Sequence, residues 1–195
     1  MKKTILNKKM RKIIFKEVIM EGRIKNLKEY KEFRKIFEIF KHYPFYEAWK
    51  EQDFKDEFYY LKNNGEIFGW YLNDEEIIGL VSLIYGAKPS HPVSFPNPDR
   101  MMYLSDIAVI DKYRGQGVGG SLLDFAINYT NLLKYYEAMY LRTNLNGSMS
   151  EGIAKSRGFE IIKNNDKIII EEVSFPRTNQ DVPETDTRKF LIKRI

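Results

Sequence analysis

Gly115-Gln116-Gly117-Val118-Gly119-Gly120, with four glycines in six residues, is the densest chemical signal in the chain. It follows an apolar run rich in β-formers, Leu104 to Ile110. It precedes a helical pattern in which Val118, Leu122, Phe125, Ala126, Tyr129, Leu132, Leu133 and Tyr136 recur mostly three or four apart. Glycines between a strand and a helix let backbone N–H groups turn inward at a helix N-terminus. There the unpaired donors and the helix dipole attract phosphate. The expectation is a pyrophosphate-bearing cosubstrate held at this turn.

Two phosphate sites of other kinds fit less well. Gly115, Gly117 and Gly120 formally satisfy G-x-G-x-x-G, but a dinucleotide site wants repeated βαβ units and an acid at the next strand's end for the ribose. That strand end reads Leu141-Arg142-Thr143-Asn144. A G-K-[ST] phosphate loop needs a lysine before Ser121, and Gly120 stands there. Of the other reactive side chains, Asp106 is notable as an acid inside an otherwise apolar strand. Without cysteine, thiol chemistry is excluded, and with only two histidines, His42 and His91, a histidine-built metal site is not expected.

The elements that must position these groups follow from periodicity and breakers. Lys12 to Met20 reads as a strand. From Asn26 the stripe Leu27, Tyr30, Phe33, Phe37, Phe40 reads as a helix ended by Pro44. Phe45 to Leu61 reads as a second helix, stopped by Asn63-Asn64-Gly65. Its aromatics are mostly core, and those near Pro44 could wall a substrate cleft. Glu66–Leu72 and Glu76–Tyr85 read as an antiparallel hairpin. Lys88 to Arg100 carries four prolines and reads as a lid or mobile loop, with His91 as a solvated loop residue.

Beyond the glycine turn and its helix, Ala138–Arg142 reads as a strand. Ser148-Met149-Ser150-Glu151 fits an S-x-x-E capping box opening a short helix that Gly158 ends, with Phe159 as the apolar residue beyond the cap. Phe159–Ile162 and Lys167–Val173 read as strands, Phe175–Thr187 as a polar loop and Lys189–Ile195 as a final strand. The class is mixed α+β. Residues 12–195 form one domain after a basic segment, residues 1–11, that could be disordered.

Arg114-x-x-Gly117-x-Gly119, directly after a strand containing Ile107-Ala108-Val109, resembles motif A of the GNAT family of N-acetyltransferases, [Q/R]-x-x-G-x-[G/A]. The element order from about Lys12 to Ile195 is similar to that family's, as is Gly158-Phe159 after a short helix. The resemblance implies a central mixed sheet with helices on both faces, splayed at a β-bulge between the central strand and the one after the glycine helix. It implies acetyl-CoA, or another acyl-CoA, as cosubstrate and no metal. The pantetheine arm would run beside Ile107, Ala108 and Val109, with the pyrophosphate on the N–H groups of Arg114, Gly115, Gln116, Gly117, Val118, Gly119 and Gly120. The family's usual asparagine would fall near Gly147, and Asn146 is adjacent.

The reaction so implied is attack by a primary amine, of a small molecule or a peptide, on the acyl thioester. An ammonium must lose its proton first. Asp106 is the candidate base, raised in proton affinity by apolar neighbours, and it is equally readable as hydrogen-bonded structure or a substrate-ammonium anchor. The polyamine-acetylating branch carries a Glu-Asp pair here, and Ser105 stands where that Glu would. The tyrosine that often protonates the leaving thiolate would fall at Ala154; Ser150 or a tyrosine from another element could substitute. The alternative function is a non-catalytic acyl-CoA-binding or regulatory module on the same fold.

A net charge of +5 leaves nucleic acid as a third class, disfavoured because no recognition motif is present. The basic start lacks the uninterrupted apolar region of a signal peptide, and no run approaches a membrane span. With no cysteine, the expected location is cytoplasmic. Homodimers are common on such folds.

Overall fold

The computed structural model describes residues 22–40, 46–73, 75–178 and 182–195. The strand expected at Lys12–Met20 lies outside them. The first strand described is β1 (Arg23–Asn26), which pairs antiparallel with β2 (Gly65–Leu72); β2 in turn pairs with β3 (Glu76–Tyr85) as the expected hairpin. Between β1 and β2 stand α1 (Tyr30–Phe40) and α2 (Glu51–Asn64). β4 (Met101–Val109) pairs antiparallel with β3 and parallel with β5 (Ala138–Asn144) through the crossover helix α3 (Val118–Leu133). The short helix α4 (Met149–Lys155) follows.

β6 (Glu160–Ile161), the small ladder of β7 (Lys163–Asn164) with β8 (Lys167–Ile168), and β9 (Ile170–Phe175) lead to β10 (Glu184–Arg194). β10 lies against β5 on one side, and against β9 and β6 on the other. The last strand therefore begins at Glu184, where a polar loop is expected from sequence. Its first residues pair with β9 as an exposed hairpin arm whose alternating Glu184-Thr185-Asp186-Thr187 carries no apolar signal.

The sheet is covered on both faces. α1 and α2 pack with Leu27, Phe33, Ile36, Phe54, Phe58, Leu61, Leu80, Tyr103 and Ala108 on one face. α3 and α4 pack with Val81, Leu104, Val109, Val118, Leu122, Ala154 and Phe159 on the other. Burial on both faces is why β2 and β3 read as almost continuous apolar runs.

Glycines set two close approaches. A Cβ on Gly65 would lie 1.8 Å from the Leu83 carbonyl oxygen, so α2 can pass directly into β2 only with glycine at the join. A Cβ on Gly79 would lie 2.8 Å from the Ala108 carbonyl oxygen and 3.1 Å from Leu122, which lets α3 settle tightly over β3 and β4.

Helix starts and one cap differ from the sequence expectation: α1 begins at Tyr30, not Asn26, because Arg23–Asn26 is taken up by β1. α2 begins at Glu51, not Phe45, because the Asp53 carboxylate accepts the Lys50 N–H at 2.6 Å and fixes the helix start there. Tyr46 and Trp49 are thereby left in a turn and point under β4. The box at α4 is half formed: Ser148 Oγ accepts the Glu151 N–H at 3.2 Å. The Glu151 carboxylate instead meets Lys155 Nζ at 2.8 Å and Lys189 Nζ at 2.9 Å.

The proline-rich segment is held down along its length. Lys88 N–H donates to the Tyr140 hydroxyl at 2.8 Å, and the Phe95 ring lies 4.9 Å from that of Tyr140. His91 is buried, with its ring edge-on to Tyr103 at 4.8 Å and Nδ1 3.2 Å from the Tyr140 hydroxyl. Burial, then the positive charges of Arg142 and Lys88, push its pKa down to about 4. His91 is thus a neutral core residue that pins the loop, not a solvated one.

Candidate active site

β4 and β5 run in register only from Met101↔Ala138 to Leu104↔Leu141. Beyond that point they are unpaired, leaving Ser105–Val109 on one side of a gap and Arg142–Asn144 on the other. The break coincides with a bulge: Leu83 faces Leu104 and Ser82 faces Asp106, so Ser105 is the extra residue.

The bulge reverses side-chain parity. Met101 and Tyr103 face α1 and α2 before it, as Ala108 does after it, while Val109 joins the α3 side. Asp106 is thereby turned onto the α1–α2 face, and Ile107 and Val109 onto the face that meets Gly119. The backbone follows the same alternation. Ile110 N–H donates to Ile78 on β3, so N–H and C=O of Val109 and Ile107 turn the other way, into the gap.

The glycine turn stands at the end of this gap. Gly115 and Gly117 have φ of 71° and 92°, which favour glycine, and Gly117 is the N-terminal residue flanking α3. No side chain caps α3, so its first-turn N–H groups face outward, as an anion site requires. Gly119 lies in ordinary contact range of Val109 and Ile107, 3.7 and 4.0 Å from a Cβ placed there. The turn and the open edge of β4 therefore form one continuous surface.

Within the turn, the Arg114 side chain folds back: Nε donates to the Val109 carbonyl at 3.1 Å and Nη2 lies 2.9 Å from Asp111. Gln116 Nε2 likewise donates to the Lys112 carbonyl at 2.8 Å. Both side chains brace the loop, and the backbone is what the loop offers outward. Asn146 lies across the gap in an exposed turn, its N–H held by Asn144 Oδ1 at 2.9 Å. Ala154 is buried against α3's face and carries no proton-donating group. Ser150, Ser148 and Thr143 form a hydroxyl chain at the end of β5, with oxygen separations of 2.6 and 2.8 Å.

Opposite the turn, at the mouth of the gap, lies a cavity of about 10 Å3, room for a water molecule at most, lined by Tyr46, Trp49, Glu57, Ser82 and Asp106 with apolar Phe33, Leu61 and Leu80. Both Asp106 oxygens are engaged: Tyr46 Oη donates to one at 2.9 Å and Ser82 Oγ to the other at 2.8 Å. Burial and then the Asp106 charge hold the Tyr46 hydroxyl well above its ordinary value, so it stays a donor.

Glu57, half-buried on α2, has no hydrogen-bond partner among the described residues. Burial, then repulsion from Asp106, raise its pKa from 4.5 to about 7, against the opposing pull of Lys88 and Arg142. Arg142, the first residue of β5 past its pairing with β4, is tied to Glu171 at 2.7 Å. Sequence reasoning reached Asp106 and the aromatics after Pro44, but not Glu57, whose helix carries several acids that look alike in one dimension.

The profile of the Acetyltransferase (GNAT) family matches residues 30–159. The chain belongs to the GNAT acetyltransferase family. The GNAT fold is equally plain in solved structures. The ribosomal-protein-S18-alanine N-acetyltransferase of Escherichia coli superposes with a TM-score of 0.63 at 17% identity, over 89% of this chain and 94% of that one. Spermidine N-acetyltransferase from Vibrio cholerae, solved with CoA and spermine, gives 0.64 at 18% identity, over 90% and 96%. A Bacillus subtilis acetyltransferase in complex with CoA gives 0.59 at 16% identity, over 89% and 99%. No curated protein sequence matches. Among the described residues no helix is long and apolar enough to cross a membrane, and no cluster of His, Cys, Asp or Glu could hold a metal ion.

Proposed function

We propose that this GNAT protein is an acyl-CoA-dependent N-acyltransferase, most simply transferring acetyl from acetyl-CoA to a primary amine by direct attack. The observation that carries this reading is the continuity of the open β4 edge with an uncapped, glycine-opened helix N-terminus. In it, the pantetheine arm pairs with the outward backbone groups of Ile107 and the N–H of Val109, whose carbonyl Arg114 holds, as an added strand would. Ala108 lies between them, and Asn146 stands on the far wall.

The pyrophosphate rests on the N–H groups from Gly115 to Gly120, with Arg114 and Gln116 bracing the loop. The thioester then lies at the mouth of the gap, beside the bulge. The half-buried side chain there is Asp106, oriented by Tyr46 and Ser82. An incoming ammonium meets carboxylates and aromatic walls rather than open water, which raises its local concentration and fixes its approach.

The acceptor is an amine of a small molecule or a peptide; the two similar enzymes named above for spermidine and for a ribosomal-protein alanine support both kinds. Thiol release from acetyl-CoA, followed across a panel of polyamines, amino acids and peptides with free N-termini, tests the reading. The expected result is amine-dependent release with an amide product. Tight acetyl-CoA binding with no amine-dependent release would instead favour a non-catalytic acyl-CoA-binding module.

A further inference from the structure

We propose that Glu57 of α2 accepts, through a single bridging water, the proton lost by the acceptor amine, while Asp106, held by Tyr46 and Ser82, positions the amine without taking that proton. The assignment rests on the acyltransferase reading above. Its ground is geometric. Two carboxyl groups line one cavity at the mouth of the β4–β5 gap. Each Asp106 oxygen already accepts a hydroxyl hydrogen bond, from Tyr46 and from Ser82. Glu57 has none among the described residues, and the cavity it shares with Asp106 has room for the one water that would carry a proton to its carboxyl.

The charges packed around Glu57 come from four directions: Asp106 from β4, Arg142 from β5, Lys88 from the loop after β3, and Tyr60 from its own helix. Tyr46 faces it from the turn before α2. Burial and Asp106 outweigh the two cations and bring Glu57 to about 7, where it exchanges a proton with an amine at neutral pH.

The step balances as follows. R–NH3+ gives one proton to the bridging water, which passes one of its own to the Glu57 carboxylate, and the freed nitrogen lone pair attacks the thioester carbon. The C–N bond forms and the C–S bond breaks. The second nitrogen proton passes to the departing thiolate, directly or through water. Glu57 then releases its proton to solvent.

The test is the pH dependence of kcat/KM for the wild type, Glu57→Gln and Asp106→Asn, with acetyl-CoA affinity measured separately. The wild type should show an acidic limb near pH 7. Glu57→Gln should lose that limb and about 100-fold in rate, with acetyl-CoA affinity unchanged. Asp106→Asn should keep a limb and move it to lower pH, because the charge that raises Glu57 is gone. Should Glu57→Gln fail to fold, Glu57→Asp serves: the carboxyl remains, so the limb should persist at a reduced rate.

A limb retained at full rate in Glu57→Gln, or abolished in Asp106→Asn, overturns the assignment alone. Acetyl-CoA binding without acetylation of any amine by the wild type overturns the acyltransferase reading, and the assignment with it.

Discussion

Replacing Glu57 by glutamine should stabilise the protein progressively as pH rises from about 4.5 to 7, and fully above that. Moving this carboxyl from its ordinary value of 4.5 to about 7 means that the folded protein disfavours the ionised form by about 3 kcal/mol. Residual solvent contact reduces this to about 2 kcal/mol. The folded state binds the proton more tightly than the unfolded one. Stability relative to an uncharged side chain is therefore full below 4.5, falls as pH rises from 4.5 to 7, and stays at its lower level above. Urea unfolding of the wild type and Glu57→Gln at pH 5 and pH 8 measures it. The variant should gain about 2 kcal/mol on the wild type between the two conditions. A difference that is the same at both pH values would show that Glu57 titrates as a solvated glutamate, and would refute the electrostatics drawn around it.

His91 should act in the opposite sense. Its folded value of about 4 lies below its ordinary 6.5, so the unfolded chain binds the proton first. The wild type should lose about 2 kcal/mol relative to His91→Gln from pH 7 to 5, read as the difference between their unfolding curves, which cancels the opposite Glu57 contribution common to both. Gly117→Ala forces a side chain to φ of 92° at an otherwise open site, so it should cost about 1–2 kcal/mol and weaken CoA binding in calorimetry. Arg114→Ala should change CoA affinity by less than about threefold, since its guanidinium is turned onto Val109 and Asp111; a loss of tenfold or more would place that side chain on the ligand.

What the sequence made legible was local. The glycine turn, its helix, the β2–β3 hairpin and Gly158-Phe159 are each specified by neighbours in the chain, and the structure places them where expected. β1 was not legible, because Arg23-Ile24-Lys25-Asn26 has a single apolar residue and is a strand only through its pairing with β2. The early part of β10 is likewise made by its partner. His91 was misread because its burial depends on Tyr103, Tyr140 and Phe190, from two other strands and the chain's end.

The site divides the same way. The side proposed to hold acyl-CoA is backbone, and backbone conformation is written in glycines. Its proton-transfer side depends on a one-residue bulge at Ser105 that reverses parity, and on which helical acid the tertiary packing turns toward Asp106. Neither leaves a pattern in one dimension.

The central claim is that the open edge of β4 and the glycine turn hold acyl-CoA together. Amide hydrogen exchange with and without acetyl-CoA tests it most directly. New protection is expected at Ile107, Val109 and the amides from Gly115 to Gly120, with little change along β1 and β2. Protection confined to other surfaces, or none at saturating acetyl-CoA, would contradict it.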